Sequence, residues 1–203
     1  MSDGRPVVFY DEATSLAAAR AWWVLRYFGH EHVRVLDGGF AAWVAPGLPW
    51  STGGFLPPRG DVTLHAQSLP SVDADGIQAG ETRGALLDAR AGERYRGEVE
   101  PIDPVAGHIP GALSVPTLAL LHTDGRLHPA RLRAAVADLD VDHTTAPTVY
   151  CGSGVQAAHL ALTWSAAFPG SPEPALYVGS WSDWVSDGQR DVAVGDEGSV
   201  RSR

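Results

Sequence analysis

The 203-residue sequence contains no lysine, no asparagine and a single cysteine. One cysteine cannot close an internal disulfide, which excludes a disulfide-stapled secreted scaffold. It also excludes cysteine-rich zinc modules and thiolate-held iron–sulfur clusters. All 15 basic residues are arginine, set against 24 acidic residues for a net charge of −9. That balance argues against non-specific nucleic-acid binding, which needs a basic face. The residues from Met1 to Thr14 carry Asp3, Asp11 and Glu12 and no long apolar run, so a signal peptide is not expected. The longest uncharged stretch, Thr144 to Pro172, is interrupted by Gly, Ser, Gln, His and Pro and makes a poor membrane span. With 44% hydrophobic and 19% charged residues, the composition fits a globular chain. A cytoplasmic protein is expected.

What is present is a repeat. Pro6-Val7-Val8-Phe9-Tyr10 parallels Pro147-Thr148-Val149-Tyr150-Cys151, and Gly38-Gly39-Phe40-Ala41-Ala42-Trp43 parallels Gly179-Ser180-Trp181-Ser182-Asp183-Trp184. One offset of 141 residues relates Pro6 to Pro147, Gly38 to Gly179 and Trp43 to Trp184. Between these landmarks each copy has an Ala-rich, Trp-containing segment, Ser15 to Phe28 and Val155 to Phe168. Each then has a short apolar strand, Val33 to Leu36 and Ala175 to Val178. Strand, helix, strand, helix at this spacing predicts an α/β fold with a parallel sheet flanked by helices.

The second copy has an upstream half. Asp61 to His65 suggests an opening strand, Ser71 to Ala79 a helix start, and Ala85 to Leu87 a buried strand ending at Asp88. Gly107 to Ala112 makes a tight loop, and Pro129 to Leu139 a helix with proline in its first turn. The first copy has no counterpart; the offset implies that roughly 80 residues of a full tandem would precede Met1. The expected organisation is a partial copy over 1–46, a Gly- and Pro-rich linker over 47–60, a near-complete domain over 61–194, and a polar tail over 195–203 that frays.

Cys151 stands at the end of the β-rich run Thr148-Val149-Tyr150, and Gly152-Ser153-Gly154 then turns the chain into a helix. Ligand sites of open α/β sheets lie at such strand ends. Close backbone N–H groups and the helix N-terminus favour thiolate over thiol, and the same cradle suits an anion or a persulfide. A buried cysteine acting as a small hydrophobe is the alternative. The ungapped register places Tyr10 opposite Cys151, so the first copy cannot perform this chemistry. Cysteine phosphatases share the architecture but place an arginine after five intervening residues. Here that position is Ala157, which argues against phosphate hydrolysis.

Other polar residues have a plainer reading. His108 suits a turn that bonds local backbone, and Asp88 with Arg90 suits a structural ion pair. Trp181 and Trp184 suit the core and the site wall. Arg94 is open between a surface residue and a substrate clamp. The eight histidines have no close metal-ligand spacing, so neither a metal nor a cofactor is expected.

Taken together, Cys151-Gly152-Ser153-Gly154-Val155, Asp88-Ala89-Arg90, Arg94-Tyr95-Arg96-Gly97, Gly107-His108-Ile109-Pro110-Gly111-Ala112 and Tyr177 to Trp184 resemble the tandem-domain rhodanese-like sulfurtransferases. The loop after Cys151 looks like that of the 3-mercaptopyruvate branch. In the first copy, Trp23, Arg26 to His30 and Leu36 to Gly39 resemble the back half of the family's inactive first domain. The resemblance implies a rhodanese-like fold and transfer of a sulfane sulfur from a small anionic donor, 3-mercaptopyruvate or thiosulfate. The sulfur would pass through a Cys151 persulfide to cyanide, a thiol or a protein acceptor. It casts Cys151 as nucleophile and Ser153 as the assisting hydroxyl. Gly152, Gly154, Val155, Gln156 and Ala157 would supply the cradle, and Arg94 would hold the donor carboxylate. Asp88, Arg90, Arg96, His108 and Trp181 would support the site. Two departures stand out: Asp103 replaces the branch's second substrate arginine, and Gln156 stands where threonine is usual. A persulfide carrier, or a non-catalytic interaction module, is the alternative function. Half a domain leaves sheet edges and apolar faces open, so the partial copy is expected to pack against the second domain, to self-associate with another chain, or to be partly mobile.

Overall fold

A computed structural model describes residues 1–2, 4–54 and 56–196, and the backbone of 199–201. The first copy forms β1 (Val7–Phe9), α1 (Leu16–Tyr27), β2 (Val33–Val35) and α2 (Gly39–Val44), with β1 and β2 parallel. The second forms β3 (Ser71–Val72), α3 (Ala74–Gln78), β4 (Leu86–Asp88), α4 (Gly92–Tyr95) and β5 (Leu113–Ser114). A 3₁₀ turn at Thr117–Leu120, α5 (Pro129–Asp138), β6 (Thr148–Tyr150), α6 (Val155–Ala167), β7 (Ala175–Tyr177) and α7 (Ser180–Trp184) follow. Among the described residues these strands make a parallel sheet in the order β3-β7-β6-β4-β5. β6, which leads to Cys151, lies at its centre.

Three local expectations are corrected. Asp61 to His65 forms no strand; the opening strand is β3, at the start of the segment expected to be helical. The helix there begins at Ala74, because the Asp73 carboxylate accepts the Gly76 N–H at 2.9 Å and caps it. The tail does not simply fray: the backbone of β9 (Ser199–Arg201) pairs antiparallel with β8 (Val192–Val194). The tail positions Glu197, Gly198, Ser202 and Arg203 lie outside the described residues.

The two copies share a core. β6 alternates its side chains, so Val149 enters one cluster and Tyr150 the other. The first cluster joins Val149, Leu87, Leu160 and Trp164 to Trp22, Trp23 and Val33 of the first copy. α1 lies against α6, whose Ala157, Ala158, Ala161 and Ala167 are all buried and allow close approach. Arg26 and Glu173 pair across the copies at 2.8 Å. The first copy is thus docked on the second.

Among the described residues, the opposite face of the first copy is open. Tyr10, Leu36, Phe40 and Trp43 line an open apolar cleft of about 450 Å³ with Trp50. Backbone contacts and side-chain faces match Tyr10, Leu36, Phe40 and Trp43 to Tyr150, Tyr177, Trp181 and Trp184 of the second copy. Those four are buried against Ala74, Leu86, Tyr95, Ile109 and Ala112, from the upstream half that the first copy lacks.

Candidate active site

Cys151 emerges from β6 with only 2% of its surface exposed. Its N–H donates to the Ser180 hydroxyl at 3.1 Å, and that hydroxyl donates to the Tyr177 carbonyl at 2.9 Å. The Gly154 N–H donates to Cys151 Sγ at 3.1 Å. Gly154 has φ 81°, and a Cβ there would meet the Val178 carbonyl oxygen at 2.7 Å. Only glycine fits this turn. α6 then starts without a side-chain cap, leaving its N-terminal dipole directed at the loop.

The thiol opens on a cavity of about 310 Å³ lined by Arg94, Asp103, Gly152, Ser153, Val155, Gln156, Ser182, Ile102 and, from the first copy, Leu16. The larger aromatic cleft of the first copy is lined by no cysteine, histidine or charged side chain among the described residues. Of the residues singled out from sequence, Cys151, Gly152, Ser153, Val155, Gln156 and Arg94 converge on this cavity, and Gly154 reaches it through its N–H. Ala157 turns its methyl into the core.

Arg94 is already engaged. Its Nη2 donates to Glu100 at 2.6 Å and to Asp103 at 3.3 Å, while Nε donates to Glu100 at 3.2 Å. Asp103 also accepts the Ser182 hydroxyl at 2.7 Å. Burial works against the Glu100 carboxylate, but Arg94 and the Asp103 and Ile102 N–H groups outweigh it and draw it below the usual carboxylate range. Arg90 is fully buried, forked onto Asp88 and bonded to the Gly107 carbonyl at 2.6 Å. It contacts Glu100 at 3.4 Å, so a charged chain runs from Asp88 through Arg90, Glu100 and Arg94 to Asp103.

Neither Arg90 nor Arg96 lines the cavity; Arg96 pairs with Glu98 at 2.7 Å on the surface. His108 Nδ1 lies 2.8 Å from the Tyr95 carbonyl and its ring stacks on Tyr95, with burial holding its pKa below the ordinary value. Trp181 is buried, its indole N–H donating to the Val105 carbonyl and its face beneath Arg90. Among the described residues, no group of three or more His, Cys, Asp or Glu is placed to hold a metal. Nor is any helix long and apolar enough to cross a membrane.

Sequence reasoning missed Glu100, Ser182 and Leu16. A carboxylate six residues beyond Arg94 was a signal for Glu100; nothing local marked the others. It also misplaced the counterpart of Cys151. Phe40 N–H donates to the Asp11 carbonyl as Trp181 N–H donates to that of Cys151, so Asp11, not Tyr10, is equivalent. A one-residue slip in the loop hides this from an ungapped register.

The family model for the rhodanese-like domain matches residues 1–46 and 73–187. The chain is 46% identical over 198 residues to a probable 3-mercaptopyruvate sulfurtransferase of Pseudomonas aeruginosa, covering 94% of this chain and 68% of that one. It is 44% identical over 194 residues to a putative thiosulfate sulfurtransferase of Mycobacterium tuberculosis, covering 94% and 67%. SseA of Escherichia coli, solved for the rhodanese fold of 3-mercaptopyruvate sulfotransferases, superposes with a TM-score of 0.74 at 32% identity, covering 88% of this chain and 67% of that one. An ergothioneine-bound structure superposes at 0.81 with 22% identity, a likeness of fold, over 94% of this chain and 51% of that one. The chain therefore spans about two thirds of its curated relatives' length and about half of the last.

Proposed function

The chain belongs to the rhodanese-like family, and we propose that it is a sulfurtransferase whose nucleophile is Cys151. The observation that carries the reading is the buried Sγ accepting the Gly154 N–H at 3.1 Å, at the floor of a cavity on the N-terminus of α6. The thiolate attacks the sulfur of 3-mercaptopyruvate. A Cys151 S–S bond forms, the carbon–sulfur bond breaks, and the leaving carbanion takes a proton to become pyruvate. With thiosulfate, the second choice of donor, the S–S bond breaks and sulfite leaves. An acceptor thiol or cyanide then bonds the outer sulfur, and the Cys151 thiolate is the leaving group.

Backbone N–H groups of the loop and of α6 stabilise the negative sulfur in both steps. Ser153, exposed at the mouth, exchanges the proton in this reading, and Arg94 orients the donor's carboxylate once it loosens from Glu100 and Asp103. We assign residues 61–194 to the catalytic domain and 1–46 to a partial copy that contributes one wall. The uncovered aromatic face of that copy is proposed to pair with a second chain.

The test is incubation with each donor followed by intact mass. One added sulfur, absent in Cys151→Ser, supports the reading, and turnover with cyanide or a small thiol establishes the enzyme. Sulfur uptake without turnover identifies a persulfide carrier, a reading favoured by the neutralisation of Arg94 by Glu100 and Asp103. No uptake from either donor overturns both and leaves an interaction module.

A further inference from the structure

We propose that Arg20, on α1 of the partial copy, is the unpaired positive charge that holds Cys151 and its persulfide in anionic form. The proposal rests on Cys151 being the nucleophile. Leu16 and Arg20 are four residues apart, so they share one face of α1. Leu16 lines the cavity above Cys151. Arg20 reaches the back of the loop: a Cβ built on Gly154 would lie 3.5 Å from its Nη1. Gly154 is the residue whose N–H donates to Sγ.

Arg20 Nη1 is buried and has no hydrogen-bond partner among the described residues. A guanidinium N–H buried without an acceptor is costly, and a nearby anion relieves that cost. The charged groups around Cys151 identify which anion. Arg94 and Asp103 line the cavity and are paired, with Glu100 behind Arg94. The Asp11 carboxylate accepts from the N–H groups of Ser15, Ala17 and Ala18 at the start of α1. No carboxylate pairs with Arg20 among the described residues. The thiolate is the anion left to it. Burial lowers the Arg20 pKa from its ordinary value, and the Cys151 charge acts to raise it. The Arg20 guanidinium carbon lies over Trp23, 5.4 Å from the ring centroid, a cation–π contact that holds the head in place.

The role predicts that the first copy supplies charge to the second copy's site. Iodoacetamide alkylation of Cys151 reads this without any sulfur donor: thiolate sulfur bonds carbon and iodide leaves. Rates are measured by intact mass from pH 6 to 10. Arg20→Gln is expected to slow alkylation at pH 7 by about three- to tenfold while reaching the wild-type rate at high pH. Arg20→Lys should restore much of the neutral-pH rate. Arg26→Gln, on the same helix but paired with Glu173, should leave the profile unchanged. Should Arg20→Gln fail to fold, Arg20→Met, unbranched and uncharged, takes its place. A wild-type pH profile in a folded, charge-free variant overturns the proposal, as does an equal slowing at every pH. If wild-type Cys151 alkylates normally yet takes no sulfur from any donor, the functional reading fails while Arg20's role stands.

Discussion

Asp11 and Cys151 hold the same position in the two copies. The carbonyl of each accepts from the α2 or α7 segment, Phe40 N–H at 2.7 Å for Asp11 and Trp181 N–H at 2.9 Å for Cys151. The side chain of each accepts N–H groups at the start of the following helix: Ser15, Ala17 and Ala18 for Asp11, and Gly154 for Cys151. The first copy fills its anion cradle with its own carboxylate, whereas the second places the Cys151 sulfur there.

Cys151→Asp should therefore fold and be at least as stable as Cys151→Ala. A helix-terminal carboxylate contributes about 0.5–2 kcal/mol, reduced here by its burial. Chemical denaturation measures the difference, and the variant should take no sulfur.

Arg90→Met should cost about 3–5 kcal/mol, because it strands the buried Asp88 carboxylate. Removing both charges in Asp88→Leu/Arg90→Met should cost less than Arg90→Met alone. A denaturation midpoint for the double variant below that of the single one would refute the ion-pair account.

Asp103→Asn should loosen Arg94, still paired with Glu100, toward a donor carboxylate. It should raise kcat/KM for 3-mercaptopyruvate several-fold, chiefly through KM, because it removes a negative charge 3.3 Å from the guanidinium. An unchanged KM would show that Arg94 does not bind the donor.

Acid should destabilise the fold at two places. His159, buried beside Thr117 with Nδ1 2.7 Å from its hydroxyl, has its pKa lowered by burial from 6.5 to about 4. Between those values the unfolded chain binds the proton and the folded chain does not, so stability falls as pH drops from 6.5 toward 4. The loss is bounded at about 3 kcal/mol by the size of the shift, and His159→Gln should flatten it in urea titrations across that range. Glu100, held below the carboxylate range, contributes stability at higher pH that disappears as pH falls through its folded value. Glu100→Gln should reduce that lower-pH loss.

The aromatic cleft of the first copy predicts concentration-dependent association. Trp50, 61% exposed, and Tyr10, 62% exposed, are its outermost rings. Trp50→Glu should lower the sedimentation coefficient at high concentration without altering sulfur uptake, since it lies apart from the Cys151 cavity.

The sequence by itself determined the parallel α/β architecture, the repeat and the loop that presents Cys151. Each depends on short-range rules: a β-rich run after Pro147, glycines where the chain must turn left-handed, and Ala-rich helical segments. It determined Cys151, Ser153 and Arg94 as candidates because the chemistry of each residue type is local. Tertiary structure alone decided which charges meet. Asp103 lies nine residues from Arg94 and Ser182 lies far beyond both, yet all three share one cavity wall. Arg20 reaches Gly154 across a helix–helix contact that no spacing encodes. Even the equivalence of Asp11 with Cys151 appeared only from the hydrogen bonds, because a one-residue slip in a loop leaves strand and helix patterns intact while moving the reactive position. Periodicity specifies which face of an element is apolar; packing specifies what that face meets.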